Sequence, residues 1–265
     1  MSTRTLVVWC PDWPVVAAGV EPEVAAAVVV TNRVVATSTG ARRDGVHVGQ
    51  RRRAAQAACP ALVVVASDPS REARAFEPVI AALEAFTPIV ELTEPGSCAC
   101  ATRGPSRYAG GDDMLAARVH GAVLTALGET VGVAGPPGVG LADGVFAATL
   151  AARRSAQTAA PLVVAAGQSA AFVAPFPVDV LADALAEATE LVGVLPRLGV
   201  RTLGEFAALS LADVVGRFGA VGQIAHRLAS GGDSRPLAAR RPPDDSRPHS
   251  SSIRRVSASN RWRSR

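Results

Sequence analysis

Leu191-Val-Gly-Val-Leu-Pro-Arg-Leu-Gly-Val-Arg-Thr-Leu-Gly-Glu-Phe206 holds the end of one helix, a tight turn and the start of another. Gly199 supplies the left-handed conformation that closes a helix, and Thr202 is a side chain that caps the next one. Ala207 to Leu209, Phe218-Gly219, Gly222 and His226-Arg-Leu-Ala-Ser-Gly-Gly-Asp233 continue the same rhythm. From Val178 to Ser230 the chain therefore reads as four or five short helices, divided at Gly199, Ser210 and Gly219. A hairpin of this kind presents backbone amides at a helix start, where an anion is favoured.

Upstream of Pro175-Phe-Pro177 the pattern changes to alternating strands and helices. Thr5 to Cys10 reads as a buried strand, and Pro14 opens a helix at its first turn. Val24 to Thr31 and Arg33 to Ser38 form a hairpin about Asn32. Gly49 to Ala58 reads as an Arg-rich helix and Leu62 to Val65 as a strand. Asp68-Pro69 caps a helix whose Phe76, Val79, Ile80, Leu83 and Phe86 share a face. Ile89 to Leu92 and Cys98 to Thr102 make a second hairpin. Leu115, Val119, Ala122, Val123 and Ala126 stripe a long helix, and strand Val139 to Ala142 leads into helix Gly144 to Arg153. Leu162 to Ala165 is a last short strand. The expected fold is α+β, a sheet with its helices on one face, followed by a small helical unit.

Composition narrows the class. Hydrophobic residues are 49% of the chain but aromatics only 4%, so the core is built from small side chains. No apolar run reaches the roughly 18 residues that span a bilayer, and Met1 to Leu6 shows no signal-peptide pattern; a cytoplasmic protein is expected. All 27 basic residues are Arg, and eight of them fall in residues 240–265 against Asp244 and Asp245. The folded body is thus slightly acidic, and the net +4 belongs to the tail, which reads as disordered. Cys98-Ala-Cys100 lacks zinc-ligand spacing, and Cys10, Cys59, Cys98 and Cys100 read as reduced, buried thiols. Gly135-Pro-Pro-Gly-Val-Gly140 has no Gly-Lys-Ser/Thr and is not a P-loop. His47, His120, His226 and His249 are scattered and read as surface or satisfied histidines.

Four segments in order carry a resemblance: Trp9-Cys-Pro-Asp-Trp-Pro-Val-Val-Ala-Ala18, Ala41-Arg-Arg-Asp-Gly-Val-His-Val-Gly49 with Ala54 to Leu62, Val139-Gly-Leu-Ala-Asp-Gly144, and the helical segment quoted first. Together they resemble the Y-family (UmuC/DinB-like) translesion DNA polymerases, and most closely the ImuB-like, catalytically degenerate branch. The resemblance implies palm and fingers over 1–172, with the fingers at about 20–66 inserted in the palm. It also implies a helix-hairpin-helix-like thumb over 173–233. It stops near Arg241-Pro-Pro243, so a truncated chain is expected, without the little finger and without the clamp-binding segment.

Active members hold two Mg²⁺ ions with converging carboxylates. Carried over, those positions fall on Pro11, Trp13, Gly96 and Ser97, and the palm lysine falls on Val145. Asp12 is a possible remnant, although on a strand it faces away from its neighbours. No metal or other cofactor is expected, and Mg²⁺ only if the chain were an active polymerase after all. Arg42 matches the arginine that contacts the incoming nucleotide, whereas Arg51 to Arg53 read as a solvated helix face. Val15 and Val16 stand at the steric gate. In the thumb, Gly199, Arg201 and Thr202 are the DNA-contact candidates, while Ala186-Glu-Ala188 replaces the first Gly-x-Gly hairpin. The implied role is a non-catalytic scaffold in damage-induced mutagenesis. Its implied partners are damaged or primer-template DNA, an error-prone replicative-type polymerase, a RecA-like accessory protein and the sliding clamp. An active error-prone polymerase and a DNA-independent interaction module are the alternatives.

Overall fold

The computed structural model describes residues 3–130 and 135–233. Strand β1 (Arg4–Trp9) ends in the single-turn helix α1 (Trp13–Val16). Next come β2 (Ala26–Val30), β3 (Arg33–Thr37), α2 (Thr39–Arg43), α3 (Arg52–Ala58) and β4 (Val63–Ala66). The chain then forms α4 (Pro69–Glu84), the hairpin β5 (Glu91–Glu94) and β6 (Ser97–Ala101), α5 (Arg103–Ala109) and α6 (Asp112–Thr130). After β7 (Gly138–Asp143), α7 (Val145–Thr158), β8 (Leu162–Val163) and α8 (Ser169–Val173) it becomes helical throughout: α9 (Val180–Ala184), α10 (Thr189–Val194), α11 (Leu203–Ala207) and α12 (Leu211–Ala229).

The main sheet runs β5-β6-β1-β7-β8. β1 lies antiparallel between β6 and β7, with Val7 opposite Ala99 on one side and Gly140 on the other. Side chains alternate across it. Leu6, Val8, Cys98, Cys100, Val139 and Leu141 face α4 and α6, where they pack with Val79, Ile80, Leu83, Leu115 and Val119. Val7, Ala99 and Ala142 face the other way, onto α7. Helices therefore cover both faces, not one as the sequence suggests. The reason is the small residues: a Cβ on Gly140 would lie 2.1 Å from the Ala152 nitrogen, so α7 rests directly on the strand backbone.

The same core passes from α7 into the terminal helices, joining Phe146 and Leu150 to Leu181, Leu195, Leu203 and Phe206. α8 spans the 172/173 division expected between palm and thumb. The inserted fingers form a second sheet, β3-β2-β4, around Val34, Ala41, Val46 and Ala55. Their hairpin turns at Thr31 and Asn32, both at positive φ (46° and 65°), a geometry suited to Asn.

Several boundaries move. β5 begins at Glu91 because Ile89 is half-exposed ahead of the ladder. α3 begins at Arg52, three residues later than its polar run suggests, after Gly49 turns at φ 88°. Asp68 caps α4 as expected, accepting from the Arg71 amide at 3.0 Å. His120 is buried and its Nε2 has no hydrogen-bond partner among the described residues, so it is neither a surface nor a satisfied histidine. The basic segment 234–265, and with it the expected absence of a further domain, lies outside the described residues. No helix among the described residues is long and apolar enough to cross a membrane.

All four thiols are free and buried. Burial pushes Cys10 and Cys100 up to about 12, and raises Cys98 well above the ordinary range, with Cys10 and Cys100 adding to the effect. Cys59 is raised by burial and by donating to Asp44 Oδ2 at 3.3 Å. Since the thiolate is the reactive form, the native protein at about pH 8 is expected to leave all four unmodified by a disulfide reagent while the guanidinium-unfolded chain titrates in full. A thiol that reacts quickly in the native protein would contradict the burial described.

Candidate functional site

Antiparallel pairing brings the end of β1 beside the β5–β6 turn. Trp9 lies opposite Ser97, and the Cys10 amide donates to the Gly96 carbonyl at 2.8 Å. Trp13, which follows at α1, reaches into the space below the turn. Its indole Nε1 donates to the Glu72 carbonyl at 2.9 Å, and its ring meets Phe76 edge-on at 5.0 Å between centroids. A Cβ at Gly96 would lie 2.3 Å from Trp13 Cβ, and Gly96 sits at φ 80°. Ser97 is fully buried and accepts from Thr93 Oγ1 at 2.9 Å.

The four positions matched to metal-holding carboxylates thus converge in space, but their side chains offer an indole N–H, a buried hydroxyl, a proline ring and a bare backbone. Mg²⁺ takes oxygen ligands in an octahedron, carboxylates first. These residues do not fit a pair of such ions. Among the described residues, no group of three or more His, Cys, Asp or Glu is placed to hold a metal.

Asp12 is not on the strand at all, because β1 ends at Trp9. It adopts φ 55°, ψ 26° ahead of α1, so strand alternation does not govern its direction. Its carboxylate instead meets Arg42, Nη1 to Oδ2 at 2.7 Å. Arg42 also donates to the Thr37 carbonyl at 3.0 Å and to Thr39 Oγ1 at 3.2 Å. The two surviving polar candidates, thirty residues apart in sequence, are therefore partners of each other.

Burial raises the Asp12 carboxyl above its usual range despite the opposing pull of Arg42. An acid raised on folding contributes stability below its unfolded value of 3.8 and loses it as pH rises through the folded one. Asp12→Asn is expected to remove this loss. Urea midpoints of the two proteins should shift in favour of the variant as pH rises from about 4 to about 7; a shift in favour of wild type would mean that the ion pair outweighs burial.

Val145, the lysine-matched position, opens α7 at the edge of a cleft of about 350 Å³ between α7 and the helical unit. The N-terminus of α7 is already capped: Asp233 Oδ2 accepts from the Phe146 amide at 3.0 Å. Deeper in the cleft, Arg153 joins Asp183 at 2.5 Å and Glu94 at 3.5 Å, and lies 5.8 Å above the Trp9 ring.

The thumb candidates show the same arrangement. Gly199 closes its helix at φ 84° as expected. The amides of Arg201 and Thr202 both donate to Glu205 Oε2, at 2.7 and 3.0 Å, and Thr202 Oγ1 accepts from the Glu205 amide at 3.2 Å. Those amides hold the Glu205 carboxyl below its ordinary range. Ala186–Ala188 is a turn of 3₁₀ helix, not an open hairpin. Val15 and Val16 are buried, and Val15 packs against the fingers sheet.

Asp233, Glu205 and the Glu94–Arg153–Asp183 set are not among the sequence-derived site residues. Only Glu205 has a local signature, the Thr-x-x-Glu of a capping box.

The sequence pattern described as the impB/mucB/samB family matches residues 12–153, more than half of the chain. DNA polymerase IV of Dehalococcoides mccartyi (strain CBDB1) is 26% identical over 204 residues, covering 77% of this chain and 50% of that protein. DNA polymerase IV of Caulobacter vibrioides is 29% identical over 178 residues, 67% of this chain and 42% of that one. The chain thus spans about half the length of the curated relatives it matches. Among solved structures, DinB from Sulfolobus solfataricus superimposes with a TM-score of 0.66 at 16% identity, covering 88% of this chain and 69% of that one. A Dbh ternary complex gives 0.65 at 16% identity, over 88% and 68%. With the sequence pattern and the fold in agreement, the chain belongs to the impB/mucB/samB family of Y-family polymerase-like proteins.

Proposed function

We propose that this chain is a non-catalytic, ImuB-like accessory protein of translesion synthesis, acting in the cytoplasm in the response to DNA damage. The observation that carries the reading is Trp13, anchored to Glu72 and packed against Gly96 where catalytic relatives would converge carboxylates. A two-metal mechanism needs oxygen ligands on both ions, and Asp12, the carboxylate between the matched positions Pro11 and Trp13, is engaged with Arg42. Its role is then to hold other proteins at a lesion. The partners that the resemblance implies are an error-prone replicative-type polymerase, a RecA-like accessory protein and the sliding clamp.

A second reading, an interaction module that does not bind DNA, is favoured by charge. Residues 173–233 carry seven Asp and Glu against four Arg, where a DNA-gripping unit would be expected to be basic. The fingers, residues 20–66, have the opposite balance, six Arg against three acids.

Primer extension in Mg²⁺ and in Mn²⁺, beside a DNA titration at two salt concentrations, tests both. No extension is expected, and extension above background would overturn the non-catalytic reading. DNA binding that weakens steeply with salt and survives removal of residues 240–265 supports the DNA-associated scaffold; loss of binding with that removal supports the interaction module.

A further inference from the structure

β3 is an edge strand of the fingers sheet, and residues 49–52 run along its open side. Three backbone bonds hold them there: the Gly49 amide donates to the Val34 carbonyl at 2.8 Å, the Val34 amide to the Gln50 carbonyl at 2.9 Å, and the Arg52 amide to the Asn32 carbonyl at 3.0 Å. The register they set places Arg33 directly opposite Arg51, with Arg52 and Arg53 following at the start of α3. All four arginines are exposed. Arg33 Nη1 donates to the Gly49 carbonyl at 2.8 Å, but none of the four makes an ion pair among the described residues. Like charges directly opposite on paired strands repel. A solvated helix face would account for Arg52 and Arg53, but not for a backbone ladder that sets Arg33 against Arg51. An anion lying across the pair relieves that repulsion.

We propose that Arg33, Arg51, Arg52 and Arg53 form a sequence-independent binding surface for the phosphate backbone of duplex DNA. Guanidinium groups match phosphate oxygens in charge and geometry. The surroundings favour a duplex over a single strand. Proteins that hold single strands without sequence preference stack bases on aromatic rings, and residues 20–66 contain no Phe, Trp or Tyr. A duplex also presents one charge per about 1.7 Å of its axis, against about 3.4 Å for one strand. With residues 173–233 acidic, such a polyanion is drawn to the fingers and away from the helical unit. The inference rests on the DNA-associated reading of the chain and adds the place of contact, which that reading does not give.

The test is fluorescence anisotropy of the full chain with a mixed-sequence duplex of about 20 base pairs, from about 50 to about 300 mM salt. Arg51→Gln, Arg52→Gln and Arg53→Gln are combined in one variant. Arg103→Gln, Arg107→Gln and Arg118→Gln, at three exposed arginines of the palm, make a control of equal charge. The eight arginines of residues 240–265 are common to every protein compared. Each phosphate contact contributes about 0.9 to the slope of log affinity against log salt, so the fingers variant should lose roughly 2–3 from the wild-type slope and the control less than about 0.5. Affinity at the lowest salt should fall at least about tenfold in the fingers variant. Arg51→Lys, Arg52→Lys and Arg53→Lys together should retain the slope, because a phosphate accepts from either cation. If circular dichroism shows that the Gln triple does not fold, Arg52→Gln and Arg53→Gln replace it singly, each removing about one from the slope. Duplex binding with equal slopes in the fingers and control variants would overturn the fingers site while leaving DNA association intact. No duplex binding by wild type would overturn both, and tighter binding to a single strand of the same length would overturn the choice of partner.

Discussion

Gly96→Asp, which introduces the acidic residue that the family resemblance implies at this position, is expected to destabilise the protein by about 3 kcal/mol or more and to yield no primer extension. Two costs combine. A non-glycine residue at φ 80° costs roughly 1–2 kcal/mol, and a Cβ at 2.3 Å from Trp13 Cβ forces overpacking worth roughly 1–3 kcal/mol. Trimming the tryptophan does not help, because alanine retains the Cβ that makes the clash. Trp13→Ala alone removes a buried ring and its bond to Glu72 and should cost about 3–5 kcal/mol. The double variant is therefore expected to lie near or below the sum of the two. Urea denaturation of the four proteins measures this directly; a double variant as stable as Trp13→Ala would show that the turn has an alternative packing. Position 96 is thus held to glycine by its positive φ and by the Cβ of residue 13, whatever the rest of that side chain.

The second large effect lies in the sheet. Gly140→Val should abolish cooperative folding. A Cβ there meets backbone of α7 on every side, the Ala152 nitrogen at 2.1 Å, the Ala148 oxygen at 2.3 Å and the Ala151 carbonyl carbon at 2.6 Å. No rotamer relieves a clash with backbone, so α7 must leave the sheet and take the Phe146–Leu150 core with it. A loss of about 4 kcal/mol or more is a large part of a typical domain's stability. Gly121→Ala in α6 is the control. A Cβ there meets nothing within 4 Å, and helix propensity predicts a gain of about 0.5–1 kcal/mol. A soluble Gly140→Val protein with a normal melting transition would refute the close contact.

These glycines also explain what was legible in the sequence. Strands and helices marked by Val, Leu and Phe, such as β1 and the buried stripe of α4, were readable from period alone. The side of the sheet covered by α7 was not, because Gly138, Gly140, Ala148 and Ala152 carry too little hydrophobic signal to announce a packed face. α5 is absent from the sequence reading; it contains Gly104 and Pro105, residues of low helix propensity, and buries only Ala109. At the candidate site, Trp13 and Gly96 were named separately through the family resemblance, and their close approach is seen only in the folded chain. Spacing gave no sign that Asp12 would leave the strand and meet Arg42, or that Asp233 would cap a helix 87 residues earlier. Those contacts depend on tertiary closure, and no local pattern encodes them.

The capping carboxylates have a consequence for ligand affinity. Asp233 on α7, Glu205 on the thumb amides and Asp12 on Arg42 each occupy a backbone amide or guanidinium, the kinds of donor that phosphate oxygens accept from. A group tethered to its own receptor competes at an effective concentration that is on the order of millimolar even for loose tethers, and higher for a side chain already in register. A free anion must displace this resident competitor before it gains any contact, so its apparent affinity drops by the ratio of that concentration to the competitor's own dissociation constant. Neutralising one carboxylate would therefore raise phosphate affinity more than adding another arginine to the surface.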